Sequence, residues 1–163
     1  KSGISHKILI DDPLVLAALQ VMRRRPGGSR LLAYSDGGQW RDLSPSAVNG
    51  YLSTQLGADL TAKDFRTWHA TVIAAAALAT TDEHGRSAAS RKRAVKAAIN
   101  EVAGYLGNTP TVAKSSYVDP RILDLYESGT TIGPVAKRAV DDPCARQTAL
   151  ERAVLKLLDG AAE

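Results

Sequence analysis

Apolar and polar residues alternate from Ile4 to Ile10 (ISHKILI), the period-2 signature of a half-buried strand, and Ser2-Gly3 before it reads as a turn. A turn implies a strand on its other side, so this segment is expected to be one arm of a hairpin. From Asp12 onward the spacing becomes helical. Leu14, Ala17, Ala18 and Val21 recur at helical intervals after Asp12-Pro13, a cap followed by proline at the first helical position, and RRRPGG stops the run, with Arg23, Arg24 and Arg25 reading as a solvated helix terminus where cations suit the dipole. YSDGGQW (Tyr34 to Trp40) predicts a turn. Ser44-Pro45 repeats the cap-proline device and opens a helix closed by Gly57. Thr61 followed by Asp64 is capping-box-like, with Asp in place of Glu, and opens a helix to about Thr80.

After the loop TTDEHGRS, the basic stretch AASRKRAVKAAINEVAGYLG places Ala94, Ala98, Val102 and Tyr105 on one helical face, and Gly107 and Pro110 break it. A short helical turn is expected in PTVAKSSY. Asp119-Pro120 opens RILDLYESG, and a last helix covers about Ala145 to Leu158 after Gly133-Pro134. No internal repeat or low-complexity linker interrupts the pattern. The expected fold is mainly α, a single domain over residues 1–163 with a short N-terminal β-strand left from a hairpin.

A chain of 163 residues with 44% hydrophobic content is long enough to bury a real core. Lys and Arg total 21 against 17 acids, a net charge of +4, which makes a polyanionic partner plausible without naming one. Cys144 is the only cysteine, so neither an internal disulfide nor a cysteine-based zinc site can form, and a reducing cytoplasm suits the chain. The N-terminus KSGISHKILIDDP lacks the apolar region of a secretory signal, so none is expected. The longest apolar run, Ala70 to Ala79, is about half of the ~20 residues a membrane span needs and reads as a tightly packed internal helix. His6, His69 and His84 are too scattered for a metal motif, and the acid pairs fall at caps or in loops.

Chemistry enters through two segments. In TAKDFRTWHAT a helix puts Lys63, Arg66 and Ala70 on one side, so two cations project together from its first turns, while Phe65, Trp68 and Val72 form a second face suited to the core. The planar fork of arginine suits a phosphate. In LGNTPTVAKSSYVDPR, Tyr117 follows two serines and a lysine, with Asn108 upstream. A phenol with an unperturbed pKa near ~10 needs adjacent positive charge or a base to act as a nucleophile at neutral pH. Together these residues suggest phosphoryl transfer in which a phenol attacks phosphorus, and the resulting ester can be reversed by a hydroxyl without an energy source. The plainer readings are Tyr117 as a packed core residue, Asn108 as a helix C-cap and Lys63 and Arg66 as solvated surface charges.

At these residues the chain resembles the type IB DNA topoisomerases, specifically their compact bacterial and viral branch. KSGISH is similar to the family's lysine hairpin turn, KDFRTWHAT to its Lys-x-x-Arg-Thr helix, and GNTPTVAKSSYVDPRI to the Gly-His/Asn-Thr-Pro segment that carries the nucleophile nine residues after the His/Asn. The resemblance spans about Lys1 to Glu127. It implies Tyr117 as nucleophile forming a 3′-phosphotyrosyl link, Lys1 as general acid, and Arg66 and Asn108 as donors to the non-bridging oxygens. Lys63 and Lys114 are then DNA contacts.

The same resemblance implies double-stranded DNA as partner, no metal or other cofactor, no membrane, a monomeric full-length protein and a nucleoid-associated place in the cytoplasm. The family's first catalytic arginine and its DNA-clamping domain lie upstream of the lysine hairpin. A chain that begins at Lys1 is therefore expected to be a fragment, nearly inactive alone. Asn108 stands where many relatives have histidine; it can donate to a phosphate oxygen but cannot carry a charge. A tyrosine recombinase shares the chemistry but usually has histidine where Lys63 stands, and a DNA-binding fragment without turnover is the non-enzymatic alternative.

Overall fold

A computed structural model of the chain describes residues 9–81 and 87–160. The predicted strand at Ile4–Ile10 lies mostly outside them, and its last two residues, Leu9 and Ile10, are not in a strand. The described residues are mainly α: eight helices and one two-stranded hairpin, in two compact units that divide between Ala62 and Lys63.

The unit ending at Ala62 holds α1 (Pro13–Arg24), β1 (Ala33–Asp36), β2 (Gln39–Asp42) and α2 (Pro45–Leu56). The strands pair antiparallel with Asp36 opposite Gln39, so the loop is Gly37-Gly38 alone. Both glycines have positive φ, 57° and 81°, the requirement of the two-residue turn whose twist matches that of paired strands. The segment read as a turn therefore carries a strand on each side as well.

Arg25, expected to be a solvated residue of the basic run, instead organises this unit. Its side chain is 4% exposed, donates to the carbonyls of Met22 and Leu31 at 2.9 Å and of Arg30, and pairs with Asp42 at 2.9 Å. Unpaired helix-end carbonyls need such donors, and a guanidinium supplies five N–H groups in a fixed fork. Arg23 and Arg24 are exposed in the last turn of α1, as expected. The apolar stripe of α1 is correctly spaced, yet none of its residues is buried, and Leu14 and Val21 are largely exposed.

The second unit holds α3 (Ala62–Thr80), α4 (Ala88–Leu106), α5 (Pro110–Ser116), α6 (Pro120–Glu127), the single turn α7 (Gly133–Ala136) and α8 (Pro143–Asp159). Their inner faces share one core, with Val72, Leu78, Val102, Tyr126 and Val154 fully enclosed. Each such aliphatic side chain contributes about 1.5–3 kcal/mol relative to exposure. The Ala70–Ala79 run lies in this core, as its composition implied. Two assignments change: Tyr105 and Phe65 are exposed by more than half, because each stands at the margin of its helix's buried face, beside Leu106 and Trp68.

Five helices begin with a capping side chain followed by proline: Asp12, Ser44, Thr109, Asp119 and Asp142 each accept from backbone N–H groups of the first turn. The side-chain oxygen satisfies a donor the helix cannot, and proline occupies a position whose N–H has no intrahelical partner anyway. Asp142-Pro143 sets the start of α8 two residues before the expected Ala145.

Candidate active site

Three helix ends of the second unit build the site. Lys63 and Arg66 lie in the first turns of α3, one turn apart on the same side. Tyr117 is the residue that ends α5, with its backbone N–H donating to the Ala113 carbonyl at 3.2 Å. The structure brings the three together: the Arg66 guanidinium carbon lies 5.3 Å from the centre of the Tyr117 ring and the Lys63 ammonium 5.8 Å from it. Both are within cation–π range, so two positive charges lie close to the ring. Tyr117 is neither walled into the core nor fully solvated; its ring packs partly against the core while remaining accessible.

The end of α4 supplies the third side. Gly107 adopts the left-handed conformation (φ 64°, ψ 35°) and donates to the Gly104 carbonyl at 3.3 Å, while Asn108 N–H reaches back to the Ala103 carbonyl at 3.0 Å. This is the Schellman arrangement, which satisfies carbonyls that the helix leaves unpaired and favours glycine at its left-handed position. The next carbonyl, that of Leu106, accepts a hydrogen bond from the Arg66 guanidinium. Asn108 is two residues from Leu106, at most about 8 Å along the chain, so the same turn that anchors Arg66 carries the asparagine.

The Asn108 side-chain nitrogen is buried and has no hydrogen-bond partner among the described residues. A buried amide without a partner costs roughly 1–3 kcal/mol, and such a group calls for a ligand or water to complete it. Arg66 spends one donor on Leu106; no other bond from its fork is made to the described residues. Guanidinium donors left open beside a phenol are suited to holding an anion against the phenol oxygen, and the unpartnered amide belongs to the turn that anchors this guanidinium.

The remaining expected residues fall elsewhere. Lys1 lies outside the described residues. Lys114 lines a separate groove of about 760 Å³ together with Lys92, Lys96, Val95, Ile99 and Leu123, so it sits with the cations of α4 rather than with Lys63 and Arg66. Beyond Tyr117 the chain is pinned by Asp119, which caps α6 through Arg121 N–H at 2.9 Å and pairs with the Arg121 guanidinium at 2.7 Å. The hydrogen bond from the Arg121 side chain holds the Asp119 carboxyl below the usual carboxylate range, partly opposed by burial.

Three contributors were not singled out from the sequence. The Leu106 carbonyl carries no side-chain signal. His69 stacks on Tyr105 (centroids 5.2 Å apart, planes 26° from parallel), bringing α3 against the last turn of α4 beside the Arg66 anchor. The third is Thr71, 2% exposed in an apolar run, whose only sequence signal is a hydroxyl where the helix is otherwise alanine, valine and isoleucine.

Residues 12–129 match a family model described as the catalytic core of eukaryotic DNA topoisomerase I, a span that contains Lys63, Arg66, Asn108 and Tyr117. Among curated proteins the chain has no match.

Proposed function

The chain belongs to the DNA topoisomerase I catalytic-core family, whose members are isomerases acting on DNA, and from that premise we propose a type IB reaction centred on Tyr117. The Tyr117 oxygen attacks a backbone phosphorus of duplex DNA and the 5′-oxygen departs, leaving the 3′ end esterified to the enzyme. Lys1 protonates the departing oxygen. Arg66 and Asn108 hold the non-bridging oxygens as charge develops on them, the electrostatic contribution that commonly dominates such catalysis. Supercoils relax while the nicked strand rotates, and the free 5′-hydroxyl then reverses the ester. One phosphodiester is exchanged for another in each direction, so resealing requires no ATP, and the guanidinium and amide donors do the work for which other phosphoryl-transfer sites use a metal ion.

Lys63 adds a second positive charge beside the ring and contacts a flanking phosphate. Lys114 contributes to DNA attraction from its own groove, where a phosphate contact positions the duplex without reading its sequence. The observation that carries this reading is the approach of Arg66 and Lys63 to the Tyr117 ring, from positions more than fifty residues away in sequence.

Trapping the full-length native protein on a suicide duplex substrate in EDTA, followed by mass spectrometry, tests it. The DNA adduct is expected on Tyr117, and Tyr117→Phe should form none. An adduct on another residue, or DNA binding without any adduct from the native protein, would refute the assignment. A requirement for one defined crossover sequence would move the chain to the recombinases.

A further inference from the structure

Tyr117 has a second set of restraints that involves neither cation. The Thr71 hydroxyl accepts a hydrogen bond from Asp119 N–H at 3.1 Å and lies 3.4 Å from the Tyr117 carbonyl and 3.0 Å from the Thr67 carbonyl. A hydroxyl has one proton to donate, so the Thr67 and Tyr117 carbonyls share it, while its lone pair is committed to Asp119. The shorter contact, to Thr67, is the common back-bond of threonine inside a helix, and by itself would have no bearing on the site. The other two contacts span 46 and 48 residues and grip the chain immediately on either side of Val118.

We infer that Thr71 is a positioning residue for Tyr117: its buried hydroxyl clamps the peptide groups that follow the tyrosine and so fixes the ring close to Arg66 and Lys63. The backbone geometry explains why a clamp is needed there. Tyr117 ends α5 at φ −135°, ψ −18°, a conformation outside the helix, and the next helix does not begin until Pro120. Among the described residues the local bonds of this turn are the Tyr117 N–H to Ala113 on the upstream side and, downstream, the Asp119 cap on Arg121 N–H and the Ile122 N–H to the Asp119 carbonyl. Thr71 supplies what joins this turn to α3, the same helix that carries Lys63 and Arg66. Since Arg66 and Thr71 are five residues apart on one rigid helix, the distance between guanidinium and phenol is set through this hydroxyl. Val118, 6% exposed, packs into the core and resists sliding but not rotation of the Tyr117 peptide.

The inference rests on Tyr117 being the nucleophile. Its test is single-turnover cleavage of a suicide duplex by the native protein and by Thr71→Val and Thr71→Ser, with DNA affinity and thermal melting measured in parallel and Tyr117→Phe as control. Valine keeps the shape and removes both contacts; serine keeps the hydroxyl and removes the methyl. A misplacement on the scale of an ångström costs on the order of 100-fold, so Thr71→Val is expected to cleave about 10- to 100-fold more slowly with DNA affinity changed less than about twofold, and Thr71→Ser to stay within about threefold of the native rate.

Native-rate cleavage by a folded Thr71→Val overturns the inference, as does a 10-fold loss in Thr71→Ser. If Thr71→Val fails to fold, the serine variant decides alone, because a role confined to packing depends on the methyl it lacks. Cleavage by Tyr117→Phe would instead show that the nucleophile is wrong, an outcome distinct from failure of the clamp.

Discussion

Replacing Arg66 separates the two jobs its guanidinium performs. In Arg66→Ala the cation 5.3 Å from the Tyr117 ring and the donor to the Leu106 carbonyl are lost together. The second loss is small in stability. Leu106 is the last residue of α4 and is buried, but the arginine is itself exposed, so the bond contributes about 0.5–1.5 kcal/mol. In the proposed mechanism the first loss falls on the transition state. Removing one donor to a developing oxyanion typically costs about 2.7–4 kcal/mol, or roughly 100- to 1,000-fold in rate. Arg66→Lys keeps a charge near the ring but loses the fork that serves carbonyl and phosphate at once, and is expected to fall between, about 10- to 100-fold below native.

The assay is quenched-flow adduct formation on a suicide duplex at saturating protein, with affinity from fluorescence anisotropy at the same salt. DNA affinity should change little, because one phosphate contact among several is a small part of the total. An Arg66→Ala protein that melts normally, binds normally and cleaves within threefold of native would refute the placing of this guanidinium at the phosphate. A matching loss in melting temperature and rate would show instead that Arg66 only holds α3 to α4.

Asn108→His should convert a pH-independent donor into a titrating one: below about pH 6.5 the imidazolium adds charge and the cleavage rate should rise relative to native, with the gain fading above it. Superimposable pH–rate profiles would remove residue 108 from the chemistry. Asp119 gives a stability test, since asparagine caps a helix about as well as aspartate and Asp119→Asn removes only the charge paired with Arg121. The folded-state pKa of Asp119 is lowered, so its contribution is present above the ordinary carboxylate range and is lost as pH falls through the lower folded value. Native and Asp119→Asn proteins should therefore differ in melting temperature at pH 6 and converge only as the pH falls below the ordinary carboxylate range. Arg25→Ala leaves Asp42 and three carbonyls without their donor, and should loosen the hairpin by on the order of 2 kcal/mol, read as faster amide exchange in residues 33–42 than in α4.

Much of the helical framework was legible because each start is written twice, once in a side chain that caps and once in a proline that fits. Asp12-Pro13, Ser44-Pro45 and Asp119-Pro120 all fold as those pairs imply. The hairpin was legible only at its turn: its strands are four residues each, and of their side chains only Ala33 is buried, too little alternation to announce a strand. The stripe of α1 shows the limit of periodicity, which reports a face but not whether anything covers it. Arg25 was misread for the opposite reason, since a basic residue after a helix looks solvated until the three carbonyls it serves are placed in space. The grouping of Lys63, Arg66 and Tyr117 was visible as a motif resemblance, whereas the parts that hold the group together are backbone carbonyls and one threonine, which have no pattern to read.

The identity of residue 108 can change without moving the site, and the reason is in the backbone. Asn108 is fixed from upstream by the Schellman bond of its N–H to Ala103 and by the left-handed Gly107, and from downstream by Thr109, whose side chain caps α5 through Val112 N–H at 3.3 Å. None of these restraints uses the residue's own side chain. A histidine or an asparagine would therefore point from the same place, and in the proposed mechanism the choice between them alters charge at the phosphate rather than geometry. The converse holds for Gly107. At φ 64° a β-carbon is strained, and shifting this residue would break the bonds that place Asn108 and the Leu106 carbonyl together. The donor at 108 is thus chemically adjustable, while the turn beneath it is not, and its amide nitrogen is left without a partner among the described residues.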